Sequence, residues 1–543
     1  MHEALFTLDH PANEPIREHA PGSPERERLK ACLAGMAGEQ ADIPLLIGGR
    51  EVRTGRTRPC VMPHDHRCVL GVYHEAGPEE AALAAAAARE GWREWSALPW
   101  PERVSVFLRA AELLAGPWRS RVNAATMLGI GKNVYQAEID AACELIDFFR
   151  FNAYFAAEIY SKQPASVSGI WDRLEWRPLE GFVLAVSPFN FTSIAGNLPS
   201  APAMMGNTAV WKPAASAVYA AWTVMELLRE AGLPGGVIQF LPGPGRVVGE
   251  ALLGEADFAG LHFTGSTGTF RALWRGIGER IERYRGYPRI VGETGGKGFV
   301  VAHPSAGVDA LVTALARGAF EYQGQKCSAA SRAYIPRSLW PEVRVRLADT
   351  IRAIRMGDPR DFRNLMGAVI DGEAFERIMG YIEYARASAD AEILAGGRGD
   401  ASRGYYIEPT VVATRDPHLK LMEEEIFGPV LTVYVYPDGE FEETLALVDR
   451  TSPYALTGAV FAQDRYAIHL AHSRLRHAAG NFYVNDKPTG AVVGLQPFGG
   501  ARASGTNDKS GSLLNLLRWV TPRTVKETFV PPALFTYPHM GAE

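Results

Sequence analysis

Cysteine is sparse in this chain: Cys32, Cys60, Cys68, Cys143 and Cys327 are scattered over 543 positions. An odd, dispersed set of this kind does not make a disulfide framework. Long apolar runs are missing as well. No stretch of about 18 apolar residues is present, so no membrane span is expected. Neither sign of charge dominates: the formal net charge is −5 and the pI about 6.3. Nothing in that balance argues for nucleic acid or an anionic membrane as a partner. Residues Met1 to Lys30 mix acids, bases and prolines. They lack the apolar core of a signal peptide and the acid-poor character of a transit peptide, so a cytoplasmic location is expected. Cys60, His64, His66 and Cys68 cluster, but their spacing fits no standard zinc pattern and they share one short segment. No metal is expected.

What is present is an ordinary globular composition, 47% hydrophobic and 22% charged, in a length that suggests two or three domains. Residues 1 to about 40 read as a polar, partly helical arm. Apolar residues at three-to-four spacing predict helices over 79–95, 101–114 and 137–155. From about 182 the pattern alternates. Short apolar strands are predicted at 181–186, 208–211, 237–241 and 258–263, with helices at 219–231 and 247–253 between them. A second block starts near Gly298, with strands at 299–301, 333–335, 431–436, 458–461 and 480–485 and a helix at 308–322. Such alternation predicts an α/β fold with a parallel, doubly wound sheet. The stretch 162–180 reads as a hairpin and 520–543 as extended.

The chemistry concentrates around Cys327, in Gly324-Gln325-Lys326-Cys327-Ser328. Most lone cysteines are small buried hydrophobes. Here a glycine turn precedes the thiol and Lys326 adjoins it, both compatible with an exposed, activated nucleophile. Glu293 lies 34 residues earlier, between an apolar run and Gly295-Gly296. It is either a solvated loop carboxylate or a base that takes a proton from water. Asn190, in Ser187-Pro188-Phe189-Asn190-Phe191, is either a turn-former or a donor to a developing oxyanion. Gly265-Ser266-Thr267-Gly268-Thr269 follows a strand and opens a helix, so its N–H groups suit a pyrophosphate. Gly243-Pro244-Gly245 lacks dinucleotide spacing and reads as a loop and helix start.

These motifs, with Trp211-Lys212-Pro213, Glu425-Ile426-Phe427-Gly428-Pro429 and Pro497-Phe498-Gly499-Gly500, occur in an order and spacing that resemble the aldehyde dehydrogenase superfamily over nearly the whole chain. Phrases such as Phe320-Glu321-Tyr322, Ala479-Gly480-Asn481-Phe482-Tyr483 and Gln136-Ala137-Glu138-Ile139-Asp140-Ala141 are similar to those of its branch that oxidises L-glutamate γ-semialdehyde to L-glutamate in proline breakdown. The resemblance implies Cys327 as nucleophile, Asn190 and the Cys327 N–H as oxyanion donors, and Glu293 as the base that activates water. It implies NAD as cofactor, with Lys212 and Glu425 on the riboses. Ser187, Pro188, Phe189, Gly265, Ser266, Thr267, Gly268, Thr269 and Phe427 would surround the rest. It implies Ser328, Gly490 and Ala491 at the α-amino acid end of the substrate, Phe191 and Phe498 beside its carbon chain, and Glu144 as a gate.

The implied architecture is a Rossmann-type NAD-binding domain (1–161 and 181–296), an α/β catalytic domain (297–510) and an oligomerisation element (162–180 and 511–543) that makes a homodimer or higher assembly. Some bacterial relatives fuse a proline dehydrogenase ahead of this unit. The resemblance uses almost all of this chain, so such a partner would be a separate, transient contact. Three positions depart from the pattern. Ala215 stands where a glutamate often favours NAD over NADP, Ala491 where a serine is familiar, and Thr294 where leucine is usual beside the base. Competing readings are a dehydrogenase for another semialdehyde such as succinic semialdehyde, acyl transfer to coenzyme A, for which Glu293 is superfluous, and a non-catalytic scaffold, against which the intact Cys327, Glu293 and Asn190 argue.

Overall fold

Strands buried on both faces dictate the architecture. Phe182–Val186, Thr208–Lys212, Gly298–Ala302 and Thr457–Phe461 are apolar along nearly their whole length and almost wholly buried. Strands of this kind pair in parallel and are covered by helices on both sides. The computed structural model describes residues 7–542. The first six residues of the expected N-terminal arm and the last residue of the expected C-terminal element lie outside that range.

Two seven-stranded sheets form the body. The first runs Arg289–Glu293, Phe258–Thr264, Phe182–Val186, Thr208–Lys212, Ile238–Phe240, Leu45–Ile47 and Arg50–Val52. Its first five strands are parallel, and Leu45–Ile47 pairs antiparallel with its neighbour on each side. The register brings the carboxyl ends level: Val186 stands beside both Lys212 and Phe263, and Phe263 beside Gly292. Ser187 to Asn190, Lys212, Gly265 and Glu293 therefore leave the sheet from one edge. That is the edge where open parallel sheets hold ligands.

The second sheet runs Ala391–Ala395, Thr410–Thr414, Val430–Tyr436, Ala330–Pro336, Gly298–Ala302, Thr457–Phe461 and Asn481–Val484, parallel except for the first strand. It offers the opposite ends of its strands. Gly298 starts level with Ala330, three residues after Cys327. The chain steps from Glu293, the last residue of sheet one, to Gly298, the first strand residue of sheet two, through Thr294 to Lys297 alone.

Two expectations need correction. The segment 162–180 is not a hairpin. Ile170–Pro178 is a single strand that pairs antiparallel with Val520–Thr528, about 350 residues away. Residues 162–169 fasten to it through side chains: Gln163 bonds both backbone groups of Leu174, and Ser166 Oγ accepts from the Asp172 N–H at 3.0 Å. Pro164 has no N–H for a ladder there. The helix expected over 137–155 is also divided. A π turn, Glu138–Cys143, precedes the α-helix Glu144–Ser161, and buried Glu138 accepts from Arg119, His19 and Asn123 within that turn.

Candidate active site

Cys327 lies on the turn between helix Val308–Phe320 and strand Ala330–Pro336. The turn is left-handed at three successive residues: Tyr322, Gln323 and Gly324 have φ of 51°, 56° and 66°. A side chain at 324 would run into the Gly428 carbonyl, so glycine is required there. The two non-glycine positions are anchored. Tyr322 donates its hydroxyl to the Ile130 carbonyl and Gln323 its amide to that of Ala368, each at 2.8 Å. Gln325 Oε1 accepts from the Ile370 N–H at 2.9 Å. Strain held by the surroundings in this way is a mark of functional turns.

The Cys327 thiol is pushed up to about 12, first by burial and then by the carboxylates of Glu425 and Glu293. Lys326 does not lower it, contrary to the sequence reading. Its ammonium lies 3.6 Å from both Asp140 and Glu321. Adjacent residues on this turn point to different partners.

Asn190 is buried, and its amide donates to the Gln325 carbonyl at 2.9 Å, two residues before Cys327. That bond aims the amide at the Cys327 turn and leaves its second N–H. Glu293 is not a solvated loop residue. It ends a strand, its Oε2 accepts from the Gly500 N–H at 2.9 Å, and burial raises its carboxyl well above the ordinary range. The Thr294 N–H donates to the Ser504 carbonyl at 2.8 Å, and its hydroxyl adds a fastening that leucine lacks, donating to the Ala503 carbonyl at 2.6 Å. Glu293 is thus tied to the loop that also supplies Gly500.

On the other expected side, Lys212 ends its strand with its ammonium against Gly245 and no hydrogen-bond acceptor among the described residues. Burial lowers it to about 8. Ser187 is buried and accepts from the Trp211 indole at 2.8 Å, beside half-buried Pro188. Ser266 caps helix Thr267–Glu279 by accepting from the Thr269 N–H at 3.2 Å. The Thr267 and Gly268 N–H groups at that end have no partner among the described residues. Gly265 donates its N–H to the Glu293 carbonyl. Glu425 accepts from the Gly296 N–H at 2.7 Å, and burial raises it to about 7. Phe189 and Phe427 meet edge to face, with centroids 5.9 Å apart.

Among the expected substrate contacts, Ser328 and Thr489 share a buried hydroxyl hydrogen bond of 2.7 Å. This brings the loop of Gly490 and Ala491 next to the residue after Cys327. Gly490 is left-handed at φ 93°. Phe498 is half-buried and its backbone exchanges hydrogen bonds with Ser510. Glu144 accepts from the Ser193 hydroxyl at 2.6 Å, and burial with Asp140 raises it to about 8. Phe191 precedes helix Thr192–Met204, with Lys132 over its ring.

Sequence reasoning missed Lys132, Asp140, Thr489 and Lys509. Lys509 donates to the carbonyls of Gly480 and Gly499 and favours the ionised form of Glu293. The one available signal was local: Asp140 belongs to the stretch Gln136 to Ala141, whose family resemblance carries no chemical role.

The Aldehyde dehydrogenase family model matches residues 51–525. The chain is 55% identical over 542 residues to the mitochondrial delta-1-pyrroline-5-carboxylate dehydrogenase of Dictyostelium discoideum, covering 99% of this chain and 97% of that one. A solved delta-pyrroline-5-carboxylate dehydrogenase from Mycobacterium tuberculosis bound with NAD superposes with a TM-score of 0.96 at 54% identity, over 100% of both chains. A 1-pyrroline-5-carboxylate dehydrogenase from Thermus with bound NAD gives 0.90 at 32% identity, over 96% of this chain and 100% of that one. Matched over both sheets and the turn that carries Cys327, the chain belongs to the aldehyde dehydrogenase family.

Proposed function

We propose that this chain oxidises L-glutamate γ-semialdehyde, the open form of 1-pyrroline-5-carboxylate, to L-glutamate with NAD. The observation that carries the reading is the Asn190–Gln325 hydrogen bond. It joins the carboxyl edge of sheet one to the Cys327 turn at the start of sheet two. The names of the similar proteins support the substrate, and the NAD in two of the solved structures supports the cofactor.

The residues present fit NAD. Lys212 is half-buried with no acceptor for its ammonium among the described residues, and among those residues two N–H groups have no partner at the start of the thirteen-residue helix Thr267–Glu279. Lys212 and Glu425 would hold the riboses; Ser187, Pro188, Phe189, residues 265–269 and Phe427 would surround the remainder. When bound, NAD supplies the hydride acceptor.

Cys327 Sγ loses its proton to water and attacks the aldehyde carbon as thiolate, and the carbonyl π pair moves to oxygen to give the anion of a hemithioacetal. The second Asn190 N–H and the Cys327 N–H stabilise its oxyanion, a contribution of about 3 kcal/mol for one such donor. Loss of hydride from that carbon leaves a thioester on Cys327. Glu293, held by the Gly500 N–H, takes a proton from water, whose oxygen displaces the thiolate and releases the carboxylate product. Ser328, Gly490 and Ala491 grip the amino acid end, Phe191 and Phe498 flank the chain, and Glu144 gates the approach.

The first sheet with its helical arm serves the cofactor, the second carries the nucleophile, and the ribbon of Ile170–Pro178 with Val520–Thr528 makes a homodimer or larger assembly. A transient contact with the proline dehydrogenase that supplies the pyrroline is part of this reading, as is a cytoplasmic location. Cell fractionation tests the latter against the mitochondrial placing in the Dictyostelium relative's name. No helix among the described residues is long and apolar enough to cross a membrane.

The deciding experiment measures NADH formation with L-glutamate γ-semialdehyde, succinic semialdehyde and a simple aliphatic aldehyde at matched concentrations. A preference of about tenfold or more in kcat/KM for the first, about 1.4 kcal/mol of transition-state discrimination, is expected. Equal rates would remove the substrate assignment and keep the dehydrogenase chemistry.

A further inference from the structure

Behind the substrate side lies a set of buried charges that the chemistry above does not use. Lys132 follows left-handed Gly131, which ends helix Arg119–Ile130. Its side chain is fully buried and its ammonium is ion-paired with Asp140. The same ammonium lies 4.2 Å from the centroid of the Phe191 ring and 4.4 Å from that of Tyr322. Asp140 sits in the π turn before Glu144, and its carboxylate is also 3.6 Å from Lys326. Lys326 in turn faces Glu321 at 3.6 Å and stands 6.0 Å from the Phe191 centroid.

A buried ammonium is costly unless it is paired. This one is held by one carboxylate and two ring faces. The face of a ring is the negative side of its quadrupole, so a desolvated cation over it is attracted and restrains the ring's tilt. The two rings differ in what else holds them. Tyr322 is fixed by its hydroxyl to Ile130, and the neighbouring Gln323 by its amide to Ala368. The turn before Cys327 therefore keeps its anchors without Lys132. Phe191 has no polar atom on its ring, is only half-buried, and relies on shape and on the cations over it, of which Lys132 at 4.2 Å is much nearer than Lys326 at 6.0 Å.

We propose that Lys132 is a positioning residue for substrate recognition: paired with Asp140, it sets the tilt of the Phe191 ring that walls the semialdehyde's carbon chain. The proposal rests on the reading of Phe191 as that wall. Lys132 acts through Phe191 and leaves the nucleophile and the cofactor side alone.

The test is Lys132→Met, which keeps the length of the stem and removes the charge. Asp140 retains Lys326, so no carboxylate is stranded. KM for L-glutamate γ-semialdehyde should rise about tenfold, with kcat within about twofold of the parent. KM for NAD and kcat/KM for propanal, too short to lie along the ring, should be unchanged. A merely structural role would not move one substrate's KM alone. Phe191→Leu is measured alongside. If it leaves the semialdehyde KM unchanged, the wall reading fails and takes the proposal with it. If it raises KM while Lys132→Met does not, the wall stands and the role of Lys132 is overturned. A double variant no worse than Phe191→Leu supports the coupling, and additive effects overturn it. Should Lys132→Met fail to fold, Lys132→Gln, which also removes the charge and can still donate to Asp140, replaces it: the same selective rise in KM is expected, and an unchanged KM overturns the proposal.

Discussion

Cys327 rests as a thiol. Burial and two carboxylates hold its proton, so the reactive thiolate is scarce at neutral pH. The sign gives a test. Below its pKa the ionised fraction of a thiol rises tenfold per pH unit, and with a value near 12 no plateau falls in the working range. Alkylation of Cys327 by iodoacetamide without cofactor, followed by mass spectrometry, should accelerate about tenfold per unit from pH 7 to pH 10. A plateau below pH 9 would mean that something in the chain lowers the thiol. Glu293 gives a second prediction. Glu293→Gln keeps the Gly500 contact but cannot take a proton from water. With the semialdehyde and NAD it should release one equivalent of NADH and stall with an acyl mass on Cys327; full turnover without that adduct would remove Glu293 as the base. These residues were legible because each sits in a short segment whose glycines and neighbours announce a loop at a strand end. Lys132 and Asp140 were not. A lysine and an aspartate eight positions apart mean nothing until a left-handed corner and a π turn bring them into one buried ion pair.

Elements were legible where burial is periodic and one-dimensional. The strands Phe182–Val186, Thr208–Lys212, Phe258–Thr264 and Val430–Tyr436 lie within one residue of the apolar runs at 181–186, 208–211, 258–263 and 431–436, and helix Val218–Glu230, expected over 219–231, stops just before left-handed Gly232. Helix Val308–Phe320 ends two residues short of the expected 308–322, because Tyr322 continues the apolar spacing while the backbone leaves the helix. What overrides the spacing there is tertiary: the hydroxyl and amide bonds of Tyr322 and Gln323, and the close approach of Gly324 to the Gly428 carbonyl. Gly324→Ala should therefore be costly twice, through a left-handed alanine and through a methyl group forced into a carbonyl, together about 3 kcal/mol. The variant should melt several degrees lower and lose most of its activity. Gly268→Ala, at a glycine with open space around it, should melt like the parent. Equal melting of the two would show that the left-handed turn relaxes freely.

At the scale of the molecule, the ribbon and the C-terminal tail beyond it stand out from the body. Ile170–Pro178 and Val520–Thr528 pair along nine residues yet bury little of themselves. Past the ribbon, Phe529, Val530, Leu534 and Phe535 are exposed, the last by 88%, and Trp171 is exposed on the ribbon itself. A two-stranded ribbon is marginal alone in water, and contiguous exposed apolar surface marks a contact. Sequence placed both segments in one oligomerisation element through resemblance, but the strand pairing joins positions too far apart for any local pattern to specify. The ribbon's outer edges and its apolar tail suit a second copy of the chain, which meets them at matching concentration and symmetry. Light scattering of the full chain at micromolar concentration should give a multiple of 59.2 kDa. Truncation after Thr528 removes the apolar tail and leaves both ribbon strands in place, so the assembly should weaken or dissociate while NADH formation per chain persists. A full chain that scatters as a 59.2 kDa monomer would overturn the assembly. A truncated chain that keeps its assembly at the same concentration would move the contact from the tail to the ribbon edges, where Trp171→Ser becomes the deciding variant.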